Sequence, residues 1–476
     1  NEAAPNQNLC RQIRRCYSIP ASPVKKYYDV VISGGGLVGT AAACALAADP
    51  ILQKLSVLVI EPREPTVWNT APERFSNRVF SITPGSRKFF EELSLWDTIA
   101  KLRVKPVRKL QVWESSSDAA ISFEPANLDD ISYIVEEPVL STALWTRLRQ
   151  LDRVQVLHNV KATSYDLPSR RSKLVHGESS HSTKDSQTPD TGGYEAATVT
   201  LSDGSQVETS LLIGADGPQS EVRQAMGIQN VSWSYRQRGL VATVHLSEPQ
   251  DNSTAWQRFT SSGPVALLPL DEKRSSLVWS TSEENAMQLL KMDAESFLDA
   301  LNRALWDEQD KMGSVNVTLD TLSRVLQKCG IVSRSVQQLP PTLTGLDENS
   351  RAVFPLSLAH ATKYVLPCTV LIGDAAHRIH PLAGLGVNLG FGDVMDLRKR
   401  LREAVQCGYE VNSIAHLLKY ETDAQRRVVP VMATVDLLHR LYGTRWNPIV
   451  TLRSVGLNFI NSLDPFKRNI IAASSR

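Results

Sequence analysis

The sequence has little of what marks several common classes of protein. Its 476 residues include six cysteines, which are scattered and form no C-x-x-C pair, so neither a disulfide framework nor a metal site is indicated. No apolar run is long enough and free enough of charge to cross a bilayer, although peripheral membrane contact stays open. The net charge of +2 gives no general argument for a nucleic-acid-binding surface. What is left is a globular protein with 42% hydrophobic residues, long enough for two or more substructures.

Acidic residues are absent from the segment between Glu2 and Asp29. Five basic residues and two serines without an acid are the composition of an organellar transit peptide. Within this segment, Arg15-Cys16-Tyr17-Ser18 is similar to a mitochondrial processing site. The alternative is an ordinary disordered basic tail. We interpret residues 1–26 as a transit-like segment.

A glycine cluster near the N-terminus is the most informative motif. A short β-branched strand is followed by Gly34, Gly36 and Gly39 at the G-x-G-x-x-G spacing, then by a helix, a second strand and Glu61. The first glycine permits a tight turn, the second lets a pyrophosphate approach the helix N-terminus, and the third lets helix and strand pack closely. Glu61 is placed to take a ribose hydroxyl. The pattern predicts a dinucleotide-binding βαβ unit, either for NAD or for FAD; the alternative is a glycine-rich turn of any α/β protein.

Two later strands also end in glycine-rich turns that carry a carboxylate. The first leads into Gly214-Ala215-Asp216-Gly217 and the second into Gly373-Asp374-Ala375-Ala376-His377. Because α/β sheets bind ligands at the carboxyl ends of their strands, both aspartates are candidate site residues. The second turn continues into a glycine-rich run before a helix predicted from about Phe391 to Val405, which indicates close approach of the backbone to a flat or anionic group. For the first turn the alternative is an ordinary type I turn. For the second the alternative is a glycine-rich bend without a ligand.

The middle of the chain predicts a second, mostly antiparallel sheet. Short β-rich runs lie between Leu240 and Ser280, and their aromatic residues Trp256, Phe259 and Trp279 either line an apolar pocket or form ordinary core. Residues 169–193 are almost wholly polar and are interpreted as an elaborated hairpin loop; a disordered partner-binding loop is the alternative.

The C-terminal part has a helical pattern. Between Pro448 and Pro465 an apolar face recurs at helical spacing, surrounded by basic residues. This face is formed by Ile449, Leu452, Val455, Phe459 and Leu463. Such a helix either packs on its own domain or lies on an anionic membrane surface.

The three glycine-rich turns, in this order and at these separations, resemble the group A flavoprotein monooxygenases, which are aromatic hydroxylases with one FAD. The resemblance covers the chain from about Tyr27 onward. Flanking segments narrow it to the branch that hydroxylates the ubiquinone ring in mitochondria; these are residues 77–79, 211–223, 256–259, 263–270 and 371–392. It implies an α/β fold, with a Rossmann-like FAD-binding domain, an interleaved antiparallel-sheet substrate domain and a helical C-terminal region.

The resemblance also implies a role for each motif residue. The glycines of the first motif would hold the FAD pyrophosphate, Glu61 the adenosine ribose and Asp374 the ribityl chain. Asp216 and Gly217 would serve FAD and, where it is the donor, reduced nicotinamide. Arg78, which from its own context is a phosphate ligand or an exposed structural arginine, would also reach the cofactor. Further cofactor contacts would come from Gly373 and from a segment bordering the isoalloxazine ring: Pro381, Gly384, Gly386 and Asn388.

The implied reaction is hydroxylation, through a C4a-hydroperoxyflavin, of C5 on the ring of a polyprenylated 4-hydroxybenzoate-type intermediate of ubiquinone synthesis. The implied partners are O2, an electron donor that is either NADPH or a ferredoxin system, and other subunits of a ubiquinone-biosynthesis complex. The implied location is the matrix face of the mitochondrial inner membrane. The substrate needs an apolar tunnel for its tail, which we expect among the strands between Leu240 and Ser280.

No general base follows from the sequence. His377 and His380 are candidates, and Pro381 and Leu385 are further flavin-adjacent candidates for the catalytic site. Relatives usually carry Gly-Gln-Gly where this chain has Gly384-Leu385-Gly386, so an amide is lost beside the flavin. The alternatives are another phenol hydroxylase or epoxidase of this fold, or a non-catalytic flavin-fold subunit or prenyl-lipid binder.

The resemblance divides the chain into alternating parts. After the transit-like segment we expect FAD-binding parts at 27–110, 141–230 and 351–410, substrate-domain parts at 111–140 and 231–350, and a helical region at 411–476.

Overall fold

The computed structural model describes twelve ranges of the chain. They are residues 25–124, 130–168, 196–248, 251–308, 311–313, 315–317, 319, 321, 339–380, 384, 386–444 and 446–461. The transit-like segment up to residue 24, the polar loop 169–193, Pro381 and Leu385 therefore lie outside the described residues, and the predictions made for them stay predictions.

The first sheet is built mainly from parallel strands. Its order is β18-β19-β11-β1-β2-β8, with β10 and β9 continuing from β11. The bounds are β1 (Lys26–Ser33), β2 (Val57–Glu61), β8 (Val154–His158), β9 (Ala162–Asp166), β10 (Ala197–Leu201), β11 (Gln206–Gly214), β18 (Val365–Leu366) and β19 (Thr369–Leu371). β1 runs parallel to β2 and β11, and β11 runs parallel to β19. Val30, Val31 and Ile32 of β1 are fully buried, as expected for a central strand covered on both faces.

Helix α1 (Leu37–Ala48) crosses from β1 to β2. Its buried residues are mostly alanine, and these small side chains let neighbouring helices approach closely. α4 (Glu137–Leu148) and α8 (Gly386–Gln406) pack against it. A Cβ added at Gly390 of α8 would lie 2.6 Å from Val38 Cγ2. The sequence thus selects a tight three-helix layer over this sheet.

The second sheet is mostly antiparallel, in the order β20-β17-β12-β15-β14-β13-β5-β6, with β16 beside β12. Its bounds are β5 (Lys109–Glu114), β6 (Ala120–Phe123), β12 (Asn230–Leu246), β13 (Thr254–Thr260), β14 (Gly263–Pro269), β15 (Arg274–Ser282), β16 (Leu343–Leu346), β17 (Ala352–Ala361) and β20 (His377–Arg378). β13 and β5 pair in parallel. One face packs its tryptophans against α6 (Glu283–Lys291) and α7 (Ala294–Trp306) in an apolar core. The prediction of an α/β fold with a second, antiparallel sheet is confirmed.

The remaining described elements are a small third sheet and helices. The third sheet contains β3 (Val79–Ile82), β7 (Ser132–Glu136) and β4 (Lys105–Val107), and the short helices are α2 (Pro84–Glu92), α3 (Trp96–Leu102) and α5 (Glu221–Ala225). The C-terminal helices are α9 (Ile414–Gly443), packed on α8, and α10 (Asn447–Asn461), packed on β6. None of the helices in the described ranges is long and apolar enough to span a membrane.

Three predictions of element bounds and faces differ from the structure. α8 begins at Gly386, five residues before the predicted Phe391, because the glycines of that run adopt helical conformation. β12 extends back from Leu240 to Asn230 through an irregularity between Ser234 and Gln237. α10 buries Val450, Arg453 and Ser454, whereas Leu452 and Phe459 of the predicted packing face are exposed.

Candidate functional site

The three glycines of the first motif have different surroundings. A Cβ added at Gly34, where φ is +103°, would lie 2.4 Å from the Ala215 carbonyl oxygen. At Gly39 it would lie 1.9 Å from the carbonyl oxygen of Gly34, so this residue fixes the approach of α1 to the loop. At Gly36 it would meet nothing within 4 Å. The first and third glycines are therefore required by chain packing, and the second leaves open space in front of the α1 N-terminus, where an anion is favoured.

Glu61 ends β2 and is tied to the glycine loop. Its Oε2 accepts a hydrogen bond from the Gly35 N–H (2.8 Å), and its Oε1 accepts one from the Arg63 N–H (3.1 Å). The side chain lines the same cavity as the glycine loop. This fixes a carboxylate within reach of a ligand lying on the loop.

Asp216 follows β11 and has one oxygen occupied and one without a partner. Oδ2 accepts from the N–H groups of Glu221 (2.7 Å) and Val222 (3.1 Å) and so holds the start of α5. Oδ1 is buried and has no hydrogen-bond partner among the described residues. Asp216 and Gly217, where φ is +82°, both line the cavity. An unpaired buried acceptor fits a hydroxyl donor of a ligand.

Asp374 lies in the turn that follows β19. Its side chain is exposed and lines the cavity. Gly373 before it has φ +59°, and its N–H donates to Asp393 Oδ2 (2.8 Å). Four parallel strands, β1, β2, β11 and β19, thus end at one cavity, as the topology of α/β sheets predicts.

Asp393 is the centre of a buried network behind this turn. It accepts from His377 Nε2 (2.7 Å) and, through its other oxygen, from Arg427 (2.9 Å), and its carboxylate is fully buried. Burial alone would raise the pKa of Asp393, but His377, Arg427 and the Gly373 N–H hold it below its ordinary value. A Cβ at Gly392 would lie 1.6 Å from Arg427 Nη1, so this glycine makes room for the guanidinium. The sequence drew attention to His377 but gave no signal for Arg427.

The two candidate histidines differ in position. His377 lines the cavity, but its Nε2 is already hydrogen-bonded to Asp393. His380 is fully buried, is not among the residues that line the cavity, and neither ring nitrogen has a partner among the described residues. Burial, and secondarily His439, lowers the pKa of His380 to about 3, so this ring is neutral at physiological pH. The geometry favours a structural role for both rings.

The remaining predicted residues lie around the junction of β3 and α8. Arg78 is exposed and lines the cavity, with its guanidinium 5.8 Å from the Phe80 ring centroid. Asn388 donates to the Ser81 carbonyl oxygen (2.8 Å) and accepts from the Thr83 N–H (3.1 Å), so it fastens α8 to β3. Gly384, with φ +61°, and Gly386, the first residue of α8, also line the cavity. Pro381 and Leu385 lie outside the described residues.

The cavity has a volume of about 1970 Å³ and reaches from the glycine loop to the second sheet. One row of paired residues from neighbouring strands forms its floor: Val241, Val278, Ala266, Gln257 and Val112. Gln257 therefore places an amide among four small apolar side chains. Its side chain has no hydrogen-bond partner among the described residues and is available to a ligand. Of the three aromatic candidates, Phe259 lines the cavity, whereas Trp256 and Trp279 belong to the core on the opposite face.

An apolar extension of the cavity, which we call the apolar arm, lies between the second sheet and the C-terminal helices. It is lined by Ile121, Phe123, Phe259, Val435, Leu438, Tyr442, Leu457 and Ile460. The Phe259 and Tyr442 rings stack with centroids 3.9 Å apart. A buried ion pair, Arg453 Nε to Glu114 Oε2 (2.8 Å), holds α10 against β5. The strands between Leu240 and Ser280, where the sequence predicts an apolar tunnel, line the cavity, but the sequence gave no signal for the helical wall of the apolar arm.

Comparison with known proteins agrees with this geometry. The profile of a family described as an FAD binding domain matches residues 27–318 and 340–434. A protein of Xenopus tropicalis named ubiquinone biosynthesis monooxygenase, mitochondrial, is 46% identical over 94% of this chain and 93% of its own length. The protein of the same name from Homo sapiens is 43% identical, covering 98% of this chain and 99% of its own.

Solved structures share the fold at low identity. The crystal structure of p-nitrophenol 4-monooxygenase from Pseudomonas putida matches with a TM-score of 0.64 and 16% identity, covering 95% of this chain and 99% of that chain. A probable FAD-dependent monooxygenase from Pseudomonas aeruginosa matches with a TM-score of 0.62 and 19% identity, covering 90% and 100%. At these identities the likeness shows the fold alone.

Proposed function

This chain belongs to the FAD-binding-domain family and is an FAD-dependent monooxygenase, and from that premise we propose that it hydroxylates C5 on the ring of a polyprenylated 4-hydroxybenzoate-type intermediate in ubiquinone biosynthesis. One observation carries the substrate class. The cavity that begins at the dinucleotide loop continues over a floor of small apolar side chains into the apolar arm. A ring with a long apolar tail needs this combination.

The residues present fit FAD. Open space at Gly36, the unpaired Oδ1 of Asp216 and the exposed carboxylate of Asp374 line one cavity. We propose that the cofactor is held by Gly34, Gly36, Gly39, Glu61, Arg78, Asp216, Gly217, Gly373, Asp374, Pro381, Gly384, Gly386 and Asn388. When bound, FAD supplies electron transfer and oxygen activation, while the chain supplies binding, orientation and exclusion of water.

Gln257 is the residue that we propose to orient the phenolic ring. Its NH2 group can donate and its carbonyl oxygen can accept a hydrogen bond in an otherwise apolar row, so a ring hydroxyl that bonds to it is fixed in position over the floor. Neighbouring Val241, Ala266 and Val278 exclude water from the same region.

Replacing Gln257 with leucine is expected to reduce kcat/KM by a factor on the order of 10 to 100, because the ring hydroxyl loses its buried partner. More hydrogen peroxide should be released per electron pair consumed, since a misplaced ring accepts oxygen less often. Steady-state kinetics with peroxide detection measures both. The exposed Gln229→Leu serves as control and should leave both unchanged. Unaltered coupling in Gln257→Leu would contradict the assigned role.

Replacing Leu457 with glutamate is expected to impair long-tailed substrates selectively, because a carboxylate in the apolar arm must be desolvated against the tail. KM for a long-tailed phenol assayed in detergent should rise about tenfold or more, while a substrate with a single prenyl unit should be turned over as before. Leu339→Glu, at an exposed leucine that does not line the cavity, is the matched control. Equal losses on both substrates would place the tail elsewhere.

The proposal extends to the surroundings of the enzyme. Its other substrate is O2, and the electron donor is NADPH or a ferredoxin system. We propose a mitochondrial location on the matrix face of the inner membrane, within a ubiquinone-biosynthesis complex; relatives named as mitochondrial support this. We further propose that cofactor-binding and substrate-binding parts alternate along the chain, because β5 and β6 join the second sheet while their neighbours in sequence join the others.

Absorbance of the purified protein tests the cofactor and the donor together. The protein is expected to show an oxidised flavin spectrum that bleaches anaerobically with NADPH or with a reduced ferredoxin system. A protein that takes up no flavin after reconstitution with FAD would overturn the proposal.

A further inference from the structure

The outer faces of the two C-terminal helices expose large apolar side chains. Along α9 the exposed residues recur every three or four positions, and they share one helix face. On α10 the exposed positions lie opposite the buried Arg453 and Ser454. We call this surface the outer strip, and its apolar members are Val429 (45% exposed), Leu437 (63%), Trp446 (64%), Leu452 (71%) and Phe459 (46%).

The exposed charged side chains of α9 are all basic. Two other arginines of this region, Arg427 and Arg453, face inward in ion pairs with Asp393 and Glu114 and do not add to the surface charge. Arg426 and Arg440 are exposed on α9, on either side of Val429 and Leu437 in sequence. Asp436 is engaged by Arg440 Nε (2.7 Å) and by the Tyr235 hydroxyl (3.0 Å). An apolar strip flanked by cations, with no free carboxylate beside it among the residues that the structure describes, matches the interface of an anionic lipid bilayer.

The same two helices form a wall of the apolar arm. Val435 and Leu438 of α9, with Leu457 and Ile460 of α10, face the cavity, while Leu437 and Leu452 face outward. The outside and the cavity are thus separated by a single helix layer, about 10 Å thick. An apolar surface and an apolar arm on opposite sides of one layer fit a substrate whose tail resides in the bilayer.

We infer that the outer strip of α9 and α10 docks on an anionic bilayer surface and places the apolar arm beside the lipid phase, from which the prenyl tail enters. The role in tail entry rests on the proposed function, whereas the docking itself rests on the exposure and charge of the strip. Leucine and tryptophan side chains enter the headgroup boundary, and Arg426 and Arg440 meet lipid phosphates.

Vesicle co-sedimentation of the full chain with bound flavin tests this docking. Vesicles of phosphatidylcholine with phosphatidylglycerol should bind the protein, and pure phosphatidylcholine should bind it less. The double variant Leu437→Glu with Leu452→Glu should weaken binding to the anionic vesicles by a factor on the order of 100, because two leucines no longer enter the boundary. Neither residue lines the cavity, so turnover of a water-soluble, short-tailed phenol should be unchanged.

The matched control replaces two exposed apolar residues elsewhere, Met287→Glu with Tyr409→Glu, and should bind vesicles as the original protein does. If the outer-strip variant binds vesicles as well as the original protein, or if the original protein binds none, the inference is overturned. The outer strip would then be assigned to contact with a protein partner. Turnover of the soluble phenol tests the proposed function separately, so the docking inference and the proposed function can fail independently of each other.

Discussion

Replacing Gly39 with alanine is expected to destabilise the protein by about 3 kcal/mol or more, the upper end of overpacking costs. The added methyl would lie 1.9 Å from the Gly34 carbonyl oxygen, which belongs to the backbone and has no rotamer to change. α1 must therefore move away from the loop, and the proposed pyrophosphate site in front of its N-terminus should be distorted. Denaturant unfolding of the flavin-free protein, with a FAD titration where the variant folds, measures both losses.

Gly36→Ala separates the effect on stability from the effect on FAD binding. Its methyl would meet nothing within 4 Å, so the flavin-free protein should unfold as the original does, while FAD affinity falls because the methyl occupies space left for the pyrophosphate. Gly456→Ala in α10 also meets open space and is the control, expected to leave FAD affinity unchanged and to raise stability by up to about 1 kcal/mol, because alanine is the better helix former. Loss of flavin affinity in Gly39→Ala without loss of stability would contradict this division.

Replacing Asp393 with asparagine is expected to lower the free energy of unfolding by about 3–5 kcal/mol, because it leaves the Arg427 guanidinium without its buried counter-charge. Whichever way the amide is turned, its NH2 group also faces a fixed donor, either the Arg427 guanidinium or the Gly373 N–H. The turn that carries Asp374 should loosen, and flavin affinity should fall with stability. Asp396→Asn is a matched control, since Asp396 pairs with the same guanidinium (2.9 Å) from a more exposed position; its loss should stay below about 1 kcal/mol.

The same network predicts a pH dependence. The pKa of Asp393 in the folded protein lies below its ordinary value of 3.8, so its contribution to stability is complete above that value and is lost as the pH falls through the folded pKa. The stability difference between the original protein and Asp393→Asn should therefore shrink below about pH 4. A difference that grows with acidification would contradict the ion-pair assignment.

The glycine-rich turns on one side of the cavity could be predicted because their determinants are local. A glycine at a fixed offset from a strand indicates a turn that is formed within a few residues. The positive φ of Gly34 and Gly373 and the close backbone contact at Gly39 explain why glycine stands at these positions. The parallel arrangement of the strands then brings their carboxyl ends together without further information from the sequence.

The apolar arm could not be predicted, because the residues that form it are distant from one another in sequence. Arg453 is a charged residue that a sequence pattern assigns to the surface, yet it is buried against Glu114, 339 residues earlier. Helical periodicity correctly marked an apolar face on Leu452 and Phe459, but it gives no partner for that face, and the structure packs α10 through another one. Gln257 became a candidate only when strand pairing placed it among Val112, Ala266, Val241 and Val278.

Turnover of a polyprenylated 4-hydroxybenzoate under isotopically labelled dioxygen tests the central claim most directly. The holoenzyme, supplied with its electron donor, is predicted to give a product that carries one labelled oxygen, and NMR should place the new hydroxyl at C5. Oxidation of the donor with release of hydrogen peroxide alone, or a product without the label, would contradict the assignment of this cavity to ring hydroxylation.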